Sequence, residues 1–248
     1  MCNFLTGYSG WLLGCGSTCI RLEKNVARIA AAYGMRVDMS IMPHHIHLTV
    51  SDKGQRHVMT SIASVNACPI SFEINTRLSR LSWDMADHKI DFDSAVVKFN
   101  QIVKTPGRSP IFVLLAASVA NASFCRLFGG DITAMAIVFI ATLVGFMFKQ
   151  TLSRRHLDNR LVVIICSFIS AVLAAGDGLF HLGSTPGLTI GTSVLYLVPG
   201  IPFINSFCDM IDGHYICAFG RLMNAVVITC CLSVGLCAGM LIMHIGMF

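Results

Sequence analysis

Five long segments without Asp, Glu, Lys or Arg, which follow one another from residue 109 onward, constrain the fold of this chain more than any other sequence feature. All of them lie in the last 140 residues, and they cover Ser109–Cys125, Ile132–Phe148, Leu161–Gly176, Gly178–Cys208 and Leu222–Phe248. A helix that crosses a bilayer needs about 20 mostly apolar residues, with a range of roughly 17–25. We therefore predict five transmembrane helices, near residues 110–128, 132–150, 160–179, 188–206 and 219–245.

The distribution of charge divides the chain into two predicted domains. Charged residues make up only 12% of the sequence and hydrophobic residues 54%, whereas a typical soluble domain has about 25% charged residues. Residues 1–108 nevertheless contain 12 of the 18 basic and 8 of the 13 acidic residues. We predict a membrane α-helical fold with a soluble α+β domain over 1–108 and a five-helix transmembrane domain over 109–248.

Side-chain periodicity predicts the elements of the soluble domain. Alternating polar and apolar residues predict four strands, at Met35–Met42, His45–Ser51, His57–Ala63 and Ile70–Asn75. Helical spacing predicts four helices, over 4–15, 17–33, 77–89 and 94–104. In the second of these helices, Ser17 is the expected N-cap and Gly34 the expected terminating glycine.

The basic residues of the loops predict the orientation of the transmembrane domain. The second loop carries Lys149, Arg154, Arg155 and Arg160, whereas the first carries only Arg126. If the soluble domain is cytoplasmic, seventeen of the eighteen basic residues lie inside, as the positive-inside rule requires. We expect a multi-pass protein of the bacterial inner membrane with a cytoplasmic N-terminus and an external C-terminus, surrounded by the lipid bilayer.

No residue pattern points to an enzyme, a metal centre or nucleic-acid binding. His44, His45 and His47 lie close together, but no carboxylate or cysteine completes a ligand set, and HExxH and P-loop motifs are absent. The basic residues are not clustered with aromatic ones, so the net charge of +5 does not indicate nucleic acid. The 11 cysteines include no CxxC motif, and we interpret them as buried thiols. We expect no catalytic residue, cofactor or metal.

Two prolines interrupt the fourth predicted transmembrane helix. Pro199 and Pro202 have no N–H, so helical hydrogen bonds to the carbonyls of Leu195 and Val198 cannot form. Transporters use such broken helices to present backbone groups to a substrate or ion. Downstream, Asn205 and Asp209 share one helix face, and Arg221 could pair with Asp209. The alternative is a simple kink followed by an interfacial Asp–Arg pair.

Asp177 is the second candidate for the substrate or ion pathway. It lies near the outer end of the third predicted span, where a carboxylate is costly and therefore often functional. Burial disfavours its charged form, which suits a proton carrier. Alternatively, Asp177 only marks the helix end, with His181 beside it in water. Arg126 and Asp131, which flank the Gly129–Gly130 turn, are interpreted as interfacial charges on a short external loop.

Two motifs in the chain resemble the threonine/serine exporter family, and together they extend over most of the sequence. The motif in the soluble domain comprises Arg21, Glu23, Arg28, Tyr33 and Gly34. The membrane motif comprises Pro199, Gly200, Pro202, Asn205, Asp209, Gly213 and His214, and Arg221 follows it. One departure is that Ala218 stands where the family tends to have glycine, which leaves the local helix packing open.

The resemblance implies proton-coupled export of a small polar metabolite. Full-length family members have ten spans, whereas this chain resembles the split form, in which a large five-span subunit works with a second, smaller multi-span membrane subunit. The enterobacterial succinate exporter is of that type. The substrate therefore stays open between threonine/serine-type amino acids and C4 dicarboxylates. Two other functions also stay open: a membrane-anchored hydrolase that uses the N-terminal domain, and a regulatory subunit that does not transport.

Overall fold

The computed structural model describes residues 1–52, 54, 57–65, 68–155, 157–180 and 183–244. Within these residues the N-terminal elements are α1 (Cys2–Gly14), α2 (Cys19–Ala32), β1 (Met35–Ile41), β2 (His45–Asp52), β3 (Val58–Ser64), α3 (Phe72–Ala86) and α4 (Phe92–Val103). The apolar part contains α5 (Pro110–Leu127), α6 (Ile132–Arg154), α7 (Asn159–Leu179), α8 (Pro186–Ser193), a 3₁₀ turn (Leu195–Leu197), α9 (Gly200–Ile211) and α10 (Tyr215–Ile242).

The chain folds into two compact units that do not follow the order of the sequence. The first unit comprises residues 1–106 and 200–224, and the second comprises 107–199 and 225–248. Helix α9 and the start of α10 therefore belong with the N-terminal elements. The rest of α10 belongs with α5–α8.

A three-stranded antiparallel sheet in the order β1-β2-β3 forms one part of the first unit. The β1–β2 hairpin pairs Met35 with Asp52 and Ile41 with Ile46, which confirms the predicted hairpin. On β2, apolar side chains such as Leu48 are buried, while His45 and His47 are exposed. The buried face joins a core that includes Leu5, Tyr8, Leu12, Leu22 and Ile29 from the first two helices.

Two local predictions for the soluble domain are wrong. Residues 70–75 do not form a fourth strand, because α3 begins at Phe72 and the hydroxyl of Ser71 accepts the backbone N–H of Ile74 at 3.3 Å. A hydroxyl cap of this kind stabilises a helix start that alternation alone cannot reveal. Likewise, Thr18 rather than Ser17 stands at the N-cap of α2 and makes no side-chain cap. Gly34 follows α2 with a φ of +69°, as expected for a terminating glycine.

The described residues contain four helices that are long and apolar enough to cross a membrane: α5, α6, α7 and α10. The count rises to five if the two helical pieces Pro186–Leu197 and Gly200–Ile211 are taken as one broken span. The chain is thus a multi-pass helical membrane protein with a small N-terminal sheet. Each predicted span overlaps one of these helices, except that the fourth is divided at Val198–Pro199.

Glycines allow close helix packing in the second unit. A Cβ on Gly235 would meet the hydroxyl of Ser167 and the carbonyl of Ile164, and one on Gly239 would meet Ala171 at 2.7 Å. The small residues of α10 therefore let it approach α7 closely, as the Gly-x-x-x-Gly spacing predicts.

Candidate functional site

In the first unit, α9 and α10 direct three polar side chains at the turn between α1 and α2. Asp209 is fully buried, and its Oδ2 lies 2.9 Å from Nη1 of Arg221. These two atoms have no hydrogen-bond partner among the described residues, so charge attraction alone compensates for their burial. The pairing that the sequence suggested for Asp209 and Arg221 is therefore present.

The same three side chains form hydrogen bonds with backbone groups of the turn between α1 and α2. Asn205 donates to the carbonyl of Gly16 at 2.9 Å, and Arg221 donates through Nη2 to the carbonyl of Ser17 at 2.7 Å. Asp209 Oδ1 accepts the N–H of Cys19 at 2.8 Å. Because Cys19 is the first residue of α2, its N–H has no partner within the helix, and a carboxylate at this end is stabilising. Asp209 thus replaces the cap that was expected from Ser17.

These contacts define a polar clamp, formed by Asn205, Asp209 and Arg221 with the turn at residues 16–19. Both oxygens of Asp209 and both terminal nitrogens of Arg221 are engaged in it. The helices that carry these residues are also joined to each other, since the hydroxyl of Ser206 donates to the carbonyl of Ala218 at 2.7 Å. Ala218 is fully buried, so alanine at this position is compatible with close packing.

A possible metal-ligand set lies beside the clamp. One ligand atom each from Cys19, Asp209 and Cys217 lie within 4.8 Å of one another, and all three residues are buried. However, a hydrogen bond with the Cys217 thiol, together with burial, raises the pKa of the Cys19 thiol. Metals bind cysteine as thiolate, and Arg221 adds a positive charge to the same place. The set therefore suits hydrogen-bonded thiols better than a cation.

The motif residues of the soluble domain occupy packing and turn positions in the first unit. Arg28 donates to Ser82 at 2.7 Å, and its guanidinium lies 3.7 Å above the ring of Trp83. Glu23 approaches His214 at 3.6 Å. The remaining contacts are Arg21 with Asn75 at 3.2 Å, Tyr33 edge-on to Phe92, and Gly34 at its positive φ. Gly213 has a φ of +85° in the turn between α9 and α10, where a side chain would be strained.

The two prolines of the broken segment have different local roles. Val198, which precedes Pro199, is extended with a ψ of 126°, as expected for a residue before proline. The N–H of Val198 donates to the carbonyl of Leu195 at 3.1 Å. The carbonyl of Leu195 therefore has a hydrogen bond, whereas the sequence predicted that the missing N–H of Pro199 would leave it free. Gly200 begins α9 and Pro202 is its third residue, where a missing N–H costs no helical hydrogen bond. The break therefore occurs at Val198–Pro199.

Polar groups line the interior of the second unit, and sequence reasoning did not select them. Asn121 donates to the hydroxyl of Thr142 at 2.8 Å and to the carbonyl of Thr192 at 3.1 Å. The hydroxyls of Ser170 and Tyr196 lie 3.0 Å apart. The sequence signal for these groups is that polar residues stand within the apolar segments. Such residues are common in membrane helices, so they do not by themselves indicate a site.

Lys149 is a half-buried cation near this polar interior. Its Nζ lies 5.6 Å from the ring of Phe146 and 5.9 Å from the ring of Tyr196. Within the part of the chain that the structure describes, no carboxylate pairs with it. The sequence placed Lys149 in a basic loop, but it lies inside α6, which extends to Arg154.

A second polar cluster joins α6, α7 and α8. Asp177 is fully buried, and its Oδ2 is 2.5 Å from the hydroxyl of Thr189. Asp177 is therefore not a solvated helix end, as one interpretation of the sequence had it, and His181 lies outside the described residues. Asp177 Oδ1 and Asp131 Oδ2 lie 2.8 and 3.0 Å from where a Cβ on Gly183 would stand. Gly183 thus leaves the two carboxylates next to each other.

Asp131 is more than a charge on a loop. Its carboxylate accepts the N–H of Ala134 at 2.6 Å at the start of α6, and the N–H of Ser184 at 2.7 Å. These backbone donors hold the pKa of Asp131 below its usual value. Arg126 does not pair with it, since its guanidinium donates to the carbonyl of Gly130 at 3.1 Å.

Comparison with known proteins agrees with a chain that contains several membrane helices. The family model ThrE, described as "Putative threonine/serine exporter", matches residues 3–243. The chain belongs to the threonine/serine exporter family. It is a transporter of the membrane and not an enzyme, so the hydrolase interpretation of the N-terminal domain is wrong.

Two curated relatives of the chain carry the name "Probable succinate transporter subunit YjjP". The protein from Escherichia coli (strain K12) is 29% identical over 231 residues, which cover 91% of this chain and 88% of the relative. The protein from Klebsiella aerogenes is 28% identical over 237 residues, which cover 93% of this chain and 89% of the relative. No solved structure matches the chain significantly.

Proposed function

We propose that this chain is one subunit of a proton-coupled secondary exporter of small carboxylate metabolites in the bacterial inner membrane. The substrates are threonine/serine-type amino acids or succinate-type C4 dicarboxylates, and a second, small multi-span membrane subunit completes the transport pathway. The names of the relatives support both the dicarboxylate and the division into subunits. Family membership supports the export of a small metabolite.

The observation that carries this proposal is the unpaired cation in the polar interior of the second unit. A Lys side chain within a membrane helix is expensive, and such residues usually face a pathway or a partner charge. Lys149 has aromatic rings beside it but no carboxylate among the described residues. Ser170 and Tyr196 supply hydroxyl groups nearby. A substrate carboxylate would provide the missing negative charge for Lys149 and hydrogen-bond acceptors for these hydroxyls.

The clamp residues have a different proposed role. Because Arg221 already binds Asp209 and the Ser17 carbonyl, it has little capacity left for a substrate carboxylate. Asn205, Asp209 and Arg221 then fix the α1–α2 turn against the start of the last helix. Pro199 and Gly200 lie at the break that precedes α9, and we assign them the role of ending one helical piece and starting the next.

Substrate counterflow in liposomes tests the proposal. The chain is reconstituted with a small multi-span membrane protein as the proposed second subunit, and vesicles loaded with unlabelled succinate or threonine take up labelled substrate. We expect counterflow of at least one of these substrates with both chains present and none with this chain alone. Counterflow by this chain alone would show that it forms a complete pathway. A complete lack of counterflow by the pair would favour a regulatory subunit.

A matched pair of variants locates the substrate carboxylate. Lys149→Gln removes the interior cation and should abolish succinate counterflow. Arg154→Gln removes an exposed cation five residues later on the same helix and should leave counterflow unchanged. Equal activity of the two variants would exclude Lys149 as the carboxylate-binding group.

A further inference from the structure

The two contacts of the Thr189 hydroxyl bear on whether the carboxyl group of Asp177 carries a proton. Thr189 Oγ1 lies 2.5 Å from Asp177 Oδ2 and 3.1 Å from the carbonyl of Thr185. A hydroxyl has one hydrogen to donate, so it cannot donate to both oxygens fully. Both contacts become hydrogen bonds if Asp177 carries a proton on Oδ2 and donates it to Thr189, which then donates to Thr185. The geometry therefore fits a neutral carboxylic acid.

The other oxygen of Asp177 leads to the same conclusion. Oδ1 is buried and has no hydrogen-bond partner among the described residues. A buried carboxylate whose charge is not matched by donors or a cation is strongly unfavourable. A carboxylic acid at this position would avoid most of that cost.

The charges around Asp177 also oppose its ionisation. Asp131, at the start of α6, faces the same space beside Gly183 and is kept ionised by its backbone donors. A negative charge that close disfavours a second one. From α5, Arg126 is engaged with the Gly130 carbonyl and Cys125 is a buried thiol. Helix α8 contributes the hydroxyl of Thr189 and its N-cap residue contributes the hydroxyl of Thr185, and His181 lies outside the described residues.

We propose that Asp177 is the binding site of the coupling proton and that Asp131 is the group through which the proton is exchanged with water. Asp131 and Gly183 are partly exposed and Ser184 is exposed, whereas Asp177 is fully buried behind them. On release, the O–H bond of Asp177 breaks, the proton passes to water beside Asp131, and the carboxylate remains. On uptake the same bond forms again. This inference rests on the proposed proton-coupled export and assigns its ion site.

Asp209 is the rival carboxylate, and its surroundings differ in kind. It has a cation at 2.9 Å and a backbone N–H at 2.8 Å. These partners stabilise a charged carboxylate rather than a carboxylic acid. Asp209 therefore serves as the control for Asp177.

Infrared spectroscopy of the purified full-length chain tests the site without any transport. A protonated carboxyl absorbs apart from a carboxylate, so a neutral Asp177 gives its own band at neutral pH. We expect this band to disappear in Asp177→Asn and to persist in Asp209→Asn. The band should also persist in Asp131→Asn, because Asp177 itself is retained. A spectrum unchanged by Asp177→Asn would overturn the proposal.

Gly183 offers a second test that keeps both carboxylates. Gly183→Ala places a methyl group 2.8 Å from Asp177 Oδ1 and 3.0 Å from Asp131 Oδ2, so the two side chains must separate. Gly187→Ala is the matched control, since a Cβ there meets nothing within 4 Å. We expect the frequency of the carboxyl band to shift in Gly183→Ala only. Identical carboxyl bands in both variants and the wild type would contradict the proximity of the two groups.

Transport then connects the site with coupling. In liposomes that contain both subunits, Asp177→Asn should abolish accumulation driven by a pH gradient while exchange of labelled for unlabelled substrate continues. Gradient-driven accumulation that survives in Asp177→Asn would refute the assignment and leave the exporter function intact. If Na⁺ removes the infrared band at constant pH, the site binds a metal cation and the proton assignment is wrong. A wild-type pair without any transport would refute the exporter function, and the infrared result would still decide the proton site.

Discussion

The buried Asp209–Arg221 pair makes a quantitative prediction about the stability of the first unit. Asp209→Asn removes the negative charge but retains an oxygen that can accept the Cys19 N–H. Arg221→Gln removes the positive charge. Asp209 is fully buried and the side chain of Arg221 is only 16% exposed, so water cannot replace the lost partner.

The structure sets the size of the effect. At the observed 2.9 Å between Nη1 and Oδ2, and with an effective dielectric constant of about 20, the Coulomb energy is roughly 6 kcal/mol. Desolvation of the two charges offsets much of this, and loss of one partner of a buried pair typically costs about 3–5 kcal/mol. Because Arg221 keeps its bond to the Ser17 carbonyl, we expect the lower end, about 3 kcal/mol, for Asp209→Asn.

A double-mutant cycle isolates the pair from its surroundings. The free energy of unfolding is measured in mixed detergent micelles for each single variant and for the double variant. We expect the double variant to lose about 2–3 kcal/mol less than the sum of the single losses, since neither charge is then left unpaired. Asp84→Asn is the control, because both side chains of the Asp84–Lys98 pair are partly exposed to solvent and its loss should cost less than about 1 kcal/mol. Additive losses for Asp209 and Arg221 would refute the interpretation of these residues as a coupled clamp.

Three further predictions concern orientation, the α9–α10 turn and the prolines. A reporter fused after Ile242 should be active if it requires the external compartment and silent if it requires the cytoplasm, and the reverse pattern would contradict the five-span arrangement. Gly213→Ala should lower the free energy of unfolding by about 1–2 kcal/mol because the φ of Gly213 is +85°. Gly200→Ala should not lower it, because the space around Gly200 is open. Equal shifts in the unfolding temperature of the two variants would refute the claim that the backbone conformation of Gly213 requires glycine. Pro202→Ala should leave stability and counterflow almost unchanged because Pro202 is in the first turn of α9. Pro199→Ala should reduce counterflow, because alanine allows the helix to continue through the break. The opposite ranking of the two variants would contradict the location of the break at Val198–Pro199.

The elements that the sequence predicted well are those with a strong period or a charge boundary. Helices α5, α6 and α7 begin and end within a few residues of the predicted spans, because charged residues mark their ends. The β1–β2 hairpin was also predictable from strict alternation. By contrast, polar and apolar residues alternate over Ile70–Asn75 as in a strand, but Ser71 caps α3 and the following residues are helical. Alternation over so few residues cannot distinguish a strand from the start of a helix.

The candidate sites were predictable only in part. Sequence spacing could place Asn205 and Asp209 on one face of a helix and suggest Arg221 as a partner. It could not show that their targets are the carbonyls and the N–H of the α1–α2 turn, almost two hundred residues away in the chain. For the same reason, the approach of Asp131 to Asp177 depends on the path of Gly183 between them, which no local pattern encodes.

Accumulation of labelled succinate and threonine by the reconstituted pair of subunits under an imposed pH gradient tests the central claim most directly. An exporter driven by proton entry moves its substrate toward the acidic side of the membrane. Vesicles with an acidic lumen should therefore concentrate at least one of the two substrates above the external level, and dissipation of the gradient should abolish this. Accumulation that is indifferent to the gradient, or no more than protein-free vesicles show for either substrate, would contradict proton-coupled export by this chain.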